Sequence, residues 1–257
     1  ETKVDRVLKF LEDGRYEIEG AAPVYTRLPP EPGEAPYKGL LYYQTDEAEL
    51  YFGREELTAK LVNRLYQQRV LAIVGASGSG KSSLVRAGVM AALKRGEALV
   101  DGSLPPLGSA SWSMVTLTPT AHPLEALAAA LTQKDKRASA MEAFLTDLRV
   151  NPHSLDWFVR KLLVSGPKKK RSERLLLVVD QFEEIFTACK DAEERKAFID
   201  NLITAAMAEG PLVLILVLRA DFYDQCVQFE QLRIILEQYQ AIIGPMTREE
   251  LKRAIEE

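Results

Sequence analysis

The segment Gly75-Ala76-Ser77-Gly78-Ser79-Gly80-Lys81-Ser82 has the spacing G-x-x-x-x-G-K-S, a pattern whose chemistry is phosphate capture. Its glycines let a short loop wrap with its amides pointing inward. Gly75, Ser77, Gly78, Ser79, Gly80, Lys81, Ser82 and Ser83 are therefore the candidates to hold phosphate oxygens. Lys81 would reach the β- and γ-phosphates of a nucleotide, and the Ser82 hydroxyl would sit on Mg²⁺. A second group begins where the apolar run Leu175-Leu176-Leu177-Val178-Val179 delivers Asp180 at its C-terminal edge. That carboxylate would also hold Mg²⁺, through water. Gln181-Phe182-Glu183-Glu184 comes next. Either glutamate could orient an attacking water, with Glu184 preferred and Gln181 a polar alternative, or both simply cap the following helix. The run Leu212 to Leu218 ends on Arg219, which either reads a γ-phosphate or pairs with Asp221 or Asp224. Lys81, Asp180, Glu183, Glu184 and Arg219 are thus the catalytic candidates for phosphoryl transfer, with Ser82 and Asp180 as metal ligands.

The elements that must carry these residues follow from the hydrophobic pattern. From Val70 onward, short apolar runs alternate with amphipathic helices, the signature of a parallel sheet covered on both faces. The predicted strands are Val70 to Val74, Ser113 to Thr118, Leu175 to Val179, Leu212 to Leu218 and a weaker Gln240 to Ile243. The predicted helices run from Glu55 to about Gln68, from Lys81 to Arg95 with a stop at Gly96, and from Glu193 to Glu209 with a stop at Gly210-Pro211. The stretch Ala121 to Arg174 reads as helical. Asp46 with Glu49, and Thr247 with Glu250, have the spacing of capping boxes. Before this, Val4, Val7, Leu8 and Leu11 recur at helical spacing. Leu28 to Pro36 holds Pro29, Pro30, Pro32, Gly33 and Pro36, which suits an extended linker.

Composition narrows the function classes. The 257 residues are 47% apolar and 27% charged, as expected of a globular chain rather than a disordered or disulfide-stapled one. With 33 Lys+Arg against 37 Asp+Glu the net charge is −4, so composition does not predict a broad basic surface for nucleic acid and leaves room only for a local basic patch. Cys189 and Cys226 suit two buried thiols in a reducing compartment. His122 and His153 have no ligand partners at metal-binding spacing. No apolar run approaches the roughly 20 residues of a membrane span, so the chain reads as soluble and cytoplasmic. It begins without Met and stops inside a helical pattern at Ala254-Ile255-Glu256-Glu257, which reads as part of a longer protein.

Four features stand in one order: Phe52-Gly53-Arg54-Glu55, the phosphate loop, Asp180-Gln181-Phe182-Glu183-Glu184, and Leu218-Arg219-Ala220-Asp221-Phe222. This series resembles the novel STAND group of signal-transduction NTPases, relatives of AAA+ and apoptotic or NLR-type ATPases. Pro36-Tyr37-Lys38-Gly39-Leu40 and Gly244-Pro245-Met246-Thr247-Arg248-Glu249-Glu250-Leu251 add to the likeness, which covers residues 36 to 257. The resemblance implies an α/β, three-layer P-loop NTPase core at 37–257, with a five-stranded, mainly parallel sheet and helices on both faces. Residues 1–36 would then be a helix and linker from an upstream effector. It implies ATP/ADP and Mg²⁺ as cofactors, with Phe52, Gly53 and Arg54 bordering the adenine. Lys81, Ser82 and Asp180 would be the Walker A and B residues, and Arg219 the sensor arginine. Gln181 departs from the AAA+ pattern, in which glutamate directly follows the aspartate. Family members carry an N-terminal effector and C-terminal lid and sensor domains, and they homo-oligomerise on activation. The implied function is an ATP-binding switch, with slow hydrolysis, in prokaryotic defence or stress signalling.

Three other readings are distinguishable. A nucleic-acid-acting AAA+ ATPase would use the basic run Lys168 to Arg171, but no aromatic residues interleave it. A GTPase would read guanine through Thr132-Gln133-Lys134-Asp135, but that segment follows an Ala-rich helix rather than a buried strand. A non-hydrolysing scaffold would hold ADP without turnover.

Overall fold

A computed structural model describes residues 41–132, 138–164 and 173–256. The helix and proline-rich segment expected before residue 37, the Pro36-to-Leu40 stretch, Gln133-Lys134-Asp135 and the Lys168-to-Arg171 run lie outside these residues.

The five apolar runs form strands β1 (Val70–Gly75), β2 (Ser113–Leu117), β3 (Leu175–Val179), β4 (Leu212–Arg219) and β5 (Gln240–Ile243). They make one sheet in the order β2-β3-β4-β1-β5, and every neighbouring pair is parallel. β1 and β3 are buried throughout and β4 as far as Leu218. Burial on both faces is why these strands read as unbroken apolar runs. Alternate residues serve opposite layers. Val70, Ala72, Leu175, Leu177, Leu212 and Leu214 pack against the helices Pro123–Thr132, Ala138–Val150, Ser154–Val164, Ala192–Met207 and Glu230–Tyr239. Leu71, Ile73, Leu176, Val178, Val213 and Ile215 face the helix Glu55–Gln67 and the helix after the phosphate loop. The result is a three-layer α/β core.

That layering positions the site. The chain leaving β1 turns to one face, while the chains leaving β3 and β4 turn to the other. A crevice therefore opens outside the C-terminal ends of these adjacent strands. Register puts Gly75 opposite Arg219 and Val179 opposite Leu216, so the phosphate loop, Asp180 and Arg219 converge there. The phosphate-loop helix has three consecutive pieces: an α turn Lys81–Ser83, a π-helical segment Leu84–Met90 and an α turn Ala91–Arg95. It stops at Gly96, which has a φ of 68°.

Several boundaries differ from the sequence expectation. The capping box before Tyr51 is Gln44 with Glu47, not Asp46 with Glu49: the Gln44 amide donates to Glu47 Oε2 at 2.8 Å and opens the 3₁₀ turn Thr45–Leu50. The helix expected to end at Glu209 ends at Met207, because Ala208 already has extended geometry. Its start is fixed by Asp191, whose side chain accepts from the amides of Glu193 and Glu194. The Thr247–Glu250 box forms as expected, with reciprocal bonds of 2.7 and 3.2 Å. Cys189 and Cys226 are buried free thiols. Among the described residues, no helix is long and apolar enough to cross a membrane.

Phe198 lies fully buried in the layer away from the phosphate loop. Phe198→Ala is expected to cost about 3–5 kcal/mol through lost transfer energy and a residual cavity. A fall in the urea midpoint with an unchanged slope checks this.

Candidate phosphate-binding site

The loop between β1 and its helix has the backbone that phosphate capture demands. Gly78 and Gly80 have φ of 74° and 80°, where side-chain-bearing residues are strained, and open space lies where a Cβ would stand on either. At the loop's first residue a Cβ on Gly75 would come within 2.6 Å of the Ile243 carbonyl, so β5 holds that end of the loop. Ser79 Oγ is buried without a hydrogen-bond partner among the described residues. An open concave backbone with an orphan hydroxyl fits a ligand rich in hydrogen-bond acceptors.

Lys81 is buried, and its Nζ donates to the carbonyls of Gly75 at 3.0 Å and Ala76 at 2.6 Å. Burial lowers its pKa, and the field of the Glu183 carboxylate is the largest influence opposing that shift. Ser82 Oγ donates to Asp180 Oδ1 at 2.9 Å. The hydroxyl and carboxylate assigned to one metal ion from sequence thus come together in the structure. Two hard oxygen ligands, with phosphate and water completing the shell, suit Mg²⁺.

Asp180 is itself buried. Gln181 has a φ of 53°, a left-handed conformation uncommon outside glycine. Its amide donates to Asp180 Oδ1 at 3.1 Å, and the next amide, of Phe182, donates to the Val217 carbonyl of β4 at 2.8 Å. This sharp turn decides which glutamate faces the loop. Glu183 is buried and accepts from the Arg219 amide at 3.2 Å. Burial pushes its carboxyl above the usual range, opposed by hydrogen bonds to backbone amides and by the charges of Lys81 and Arg219. Glu184 begins the turn Glu184–Thr187 and accepts from Thr187 Oγ1 at 3.2 Å. The structure therefore places Glu183 against the Arg219 amide, within the electrostatic reach of Lys81, and engages Glu184, the one preferred from sequence, with its own helical turn.

Arg219 stands at the end of β4, but its guanidinium pairs with Asp221 at 3.1 and 2.5 Å and lies 5.5 Å from the Phe222 ring. Its field still reaches Lys81. On the other flank, Phe52 is half-buried. Gly53, with a φ of 90°, lets the Glu250 carbonyl approach to 2.3 Å of where a Cβ would be. Arg54 is buried and donates to the Gly244 carbonyl at 2.8 Å, and it pairs with Glu250 at 3.3 Å. Its guanidinium ties the 51–55 segment to the last helix, Arg248–Glu256. A second ion pair, Arg253 with Glu55 at 3.1 Å, reinforces that tie.

The residue that sequence reasoning missed is Arg86. Its Nε and Nη2 donate to Asp180 Oδ2 at 3.3 and 3.2 Å. The signal that could have found it is its spacing, four residues after Ser82 on the same helix.

The family model for Novel STAND NTPase 1 matches residues 36–257. The chain belongs to that family. This novel STAND NTPase is therefore a P-loop NTPase, as its loop, sheet order and Asp180 require. Among solved structures it is similar to the Aeropyrum pernix ORC2 protein in its ADP form, at 15% identity over 85% of this chain and 50% of that one, with a TM-score of 0.47. It is also similar to the Walker-type ATPase paby2304 of Pyrococcus abyssi, at 14% identity over 81% of this chain and 57% of that one, with a TM-score of 0.46. The chain thus spans about half the length of these structures. No curated protein matches it.

Because the folded state raises the Glu183 pKa, its contribution to stability is present in acid and is lost as pH rises through the folded value. Glu183→Gln keeps an oxygen for the Arg219 amide and removes the buried charge. The variant is expected to melt about 2 °C above wild type at neutral pH. That gain should shrink as pH falls toward the ordinary carboxyl value of 4.5. Calorimetry across this range checks the sign.

Proposed function

We propose that this chain is an ATP-driven signalling switch that exchanges or slowly hydrolyses ATP with Mg²⁺. The observation that carries the reading is the Ser82–Asp180 hydrogen bond at the mouth of the phosphate loop, with the Glu183 carboxylate within the electrostatic reach of Lys81. Loop amides and Lys81 hold the phosphates, and Lys81 exchanges its bonds to Gly75 and Ala76 for phosphate oxygens. Ser82 and Asp180 would hold the metal ion. Mg²⁺, when bound, neutralises charge on the phosphoryl oxygens. Glu183, a carboxylate made more basic by burial, orients and deprotonates the attacking water. Arg219 leaves Asp221 to meet the γ-phosphate, which makes that ion pair the element that distinguishes ATP from ADP.

The adenine preference, and the coupling of nucleotide state to homo-oligomerisation and to an N-terminal effector, C-terminal lid and sensor domains, rest on family resemblance. So does the placement in prokaryotic defence signalling. The buried free thiols support a cytoplasmic location.

Denaturing the purified protein and identifying the released nucleotide tests the base. ATP or ADP supports the reading, and GDP overturns it. Lys81→Ala removes the buried ammonium and is expected to weaken ATP binding about 100-fold by titration calorimetry. In a phosphate-release assay, Glu183→Gln should lower turnover about 100-fold, while Glu184→Gln stays within about threefold of wild type. The reverse order would give the base role to Glu184.

A further inference from the structure

Asp180 has both oxygens engaged. Oδ1 accepts from Ser82 Oγ and the Gln181 amide, and Oδ2 accepts from Nε and Nη2 of Arg86. The Arg86–Asp180 pair is largely dry, with side chains 14% and 3% exposed. Among the described residues, the other partners of the Arg86 side chain, and one partner of its carbonyl, lie in the short segment that precedes the 3₁₀ turn or opens it. Its Nη1 donates to Gln44 Oε1 at 3.3 Å, and its guanidinium stacks 4.3 Å from the centre of the Tyr42 ring. The Arg86 carbonyl accepts from Thr45 Oγ1 at 3.3 Å. One turn earlier, Ser83 Oγ accepts from the Tyr43 amide at 3.2 Å. Four consecutive residues, Tyr42 to Thr45, are therefore fastened to Ser83 and Arg86, directly beside the residues that hold phosphate and metal.

A divalent cation on Ser82 and Asp180 shares one carboxylate with a guanidinium. Two cations a few ångströms apart in a dry site repel, and the metal weakens the hold of Arg86 on Oδ2. Any retreat of the Arg86 guanidinium disturbs Gln44 and Tyr42 at the same time, leaving the segment held to this helix by the Tyr43 bond to Ser83 and the Thr45 bond to the Arg86 carbonyl. We propose that Arg86 is a positioning residue that couples metal–nucleotide occupancy at Asp180 to release of the Tyr42–Thr45 segment. The inference rests on the nucleotide reading of the site and adds a route from it to the chain leading back to residues 1–40. Linkage makes the coupling reciprocal: a segment held tightly on Arg86 disfavours the metal, and a loosened one favours it.

Hydrogen exchange of residues 41–50 in the 257-residue chain tests this, read without nucleotide, with ADP and chelator, and with ADP and Mg²⁺. The metal–nucleotide complex should accelerate exchange in this segment about fivefold, while ADP with chelator leaves it within about twofold. In Arg86→Met, exchange should be fast in every condition. The Mg²⁺ concentration for half-maximal tight ADP binding should fall about threefold, because the competing charge is gone. Arg86→Lys, which keeps the charge, should hold that concentration near wild type. Tyr42→Ala leaves the phosphate loop untouched and guards against misfolding of the Arg86 variants. It should bind metal-free ADP as wild type does, yet show faster exchange at 41–50 and a lower Mg²⁺ requirement. A wild-type chain that binds Mg²⁺–ADP with unchanged exchange at 41–50, or an Arg86→Met variant with an unchanged Mg²⁺ requirement, overturns the coupling alone. A wild-type chain that binds no nucleotide overturns the proposed function and this inference with it.

Discussion

The site is organised around one buried carboxylate. Asp180 is 2% exposed, and an ionised group so placed persists only if its oxygens are occupied. The chain meets that demand from three directions. Ser82 comes from the first turn of the phosphate-loop helix, Arg86 from one turn further along it, and the Gln181 amide from a turn with positive φ. Each partner has its own structural cost, including strained backbone at Gln181 and a half-buried guanidinium at Arg86. The cost is local and functional, which is the usual place for such strain. The sheet order supplies the rest: with β4 between β3 and β1, the strand ends carrying Asp180 and Gly75 flank the one carrying Arg219.

The loop and Asp180 were legible because their residue types and spacing prescribe both geometry and neighbours. The strands were legible because burial on both faces admits only apolar side chains. The choice between Glu183 and Glu184 was not, since it depends on the φ of Gln181, a backbone state that a glutamine does not announce. Arg86 was hidden among the apolar residues Leu84, Val85 and Ala87, where it looks like a helical surface charge. Arg54 was placed beside a base by resemblance, while its partner Glu250 stands 196 residues away. Periodicity carries no information about a contact of that range.

Arg54 and Arg86 divide the flanks of the site between them. Arg54 holds the segment before the first long helix against the last helix, through Gly244, Glu250 and the close approach at Gly53. Arg86 holds the Tyr42–Thr45 segment against the phosphate-loop helix. Both guanidiniums are fixed by several acceptors in a planar fork, which a lysine could not reproduce. The phosphate loop is thus bracketed by two ties, one toward each end of the described core, and movement at the loop has a mechanical connection to both.

The electrostatics of Lys81 and Glu183 add a direction to that connection. Burial disfavours both charges, and each is the other's counter-charge, so the ammonium and the carboxylate support one another across the loop. A phosphate arriving at the loop changes the balance. Its negative charge raises the lysine's pKa against the effect of burial and opposes the charge on Glu183, which raises the basicity of that carboxylate further. A cation held by Ser82 and Asp180 would work the other way on Glu183 and, in the proposed coupling, displace Arg86 from Oδ2. On the proposed reading, the proton affinity of Glu183 and the hold on the Tyr42–Thr45 segment would be set by the same pair of charges, phosphate and metal. In the proposed switch, hydrolysis and signalling would not be independent properties: whatever charge readies Glu183 for water would also decide whether Arg86 stays in place.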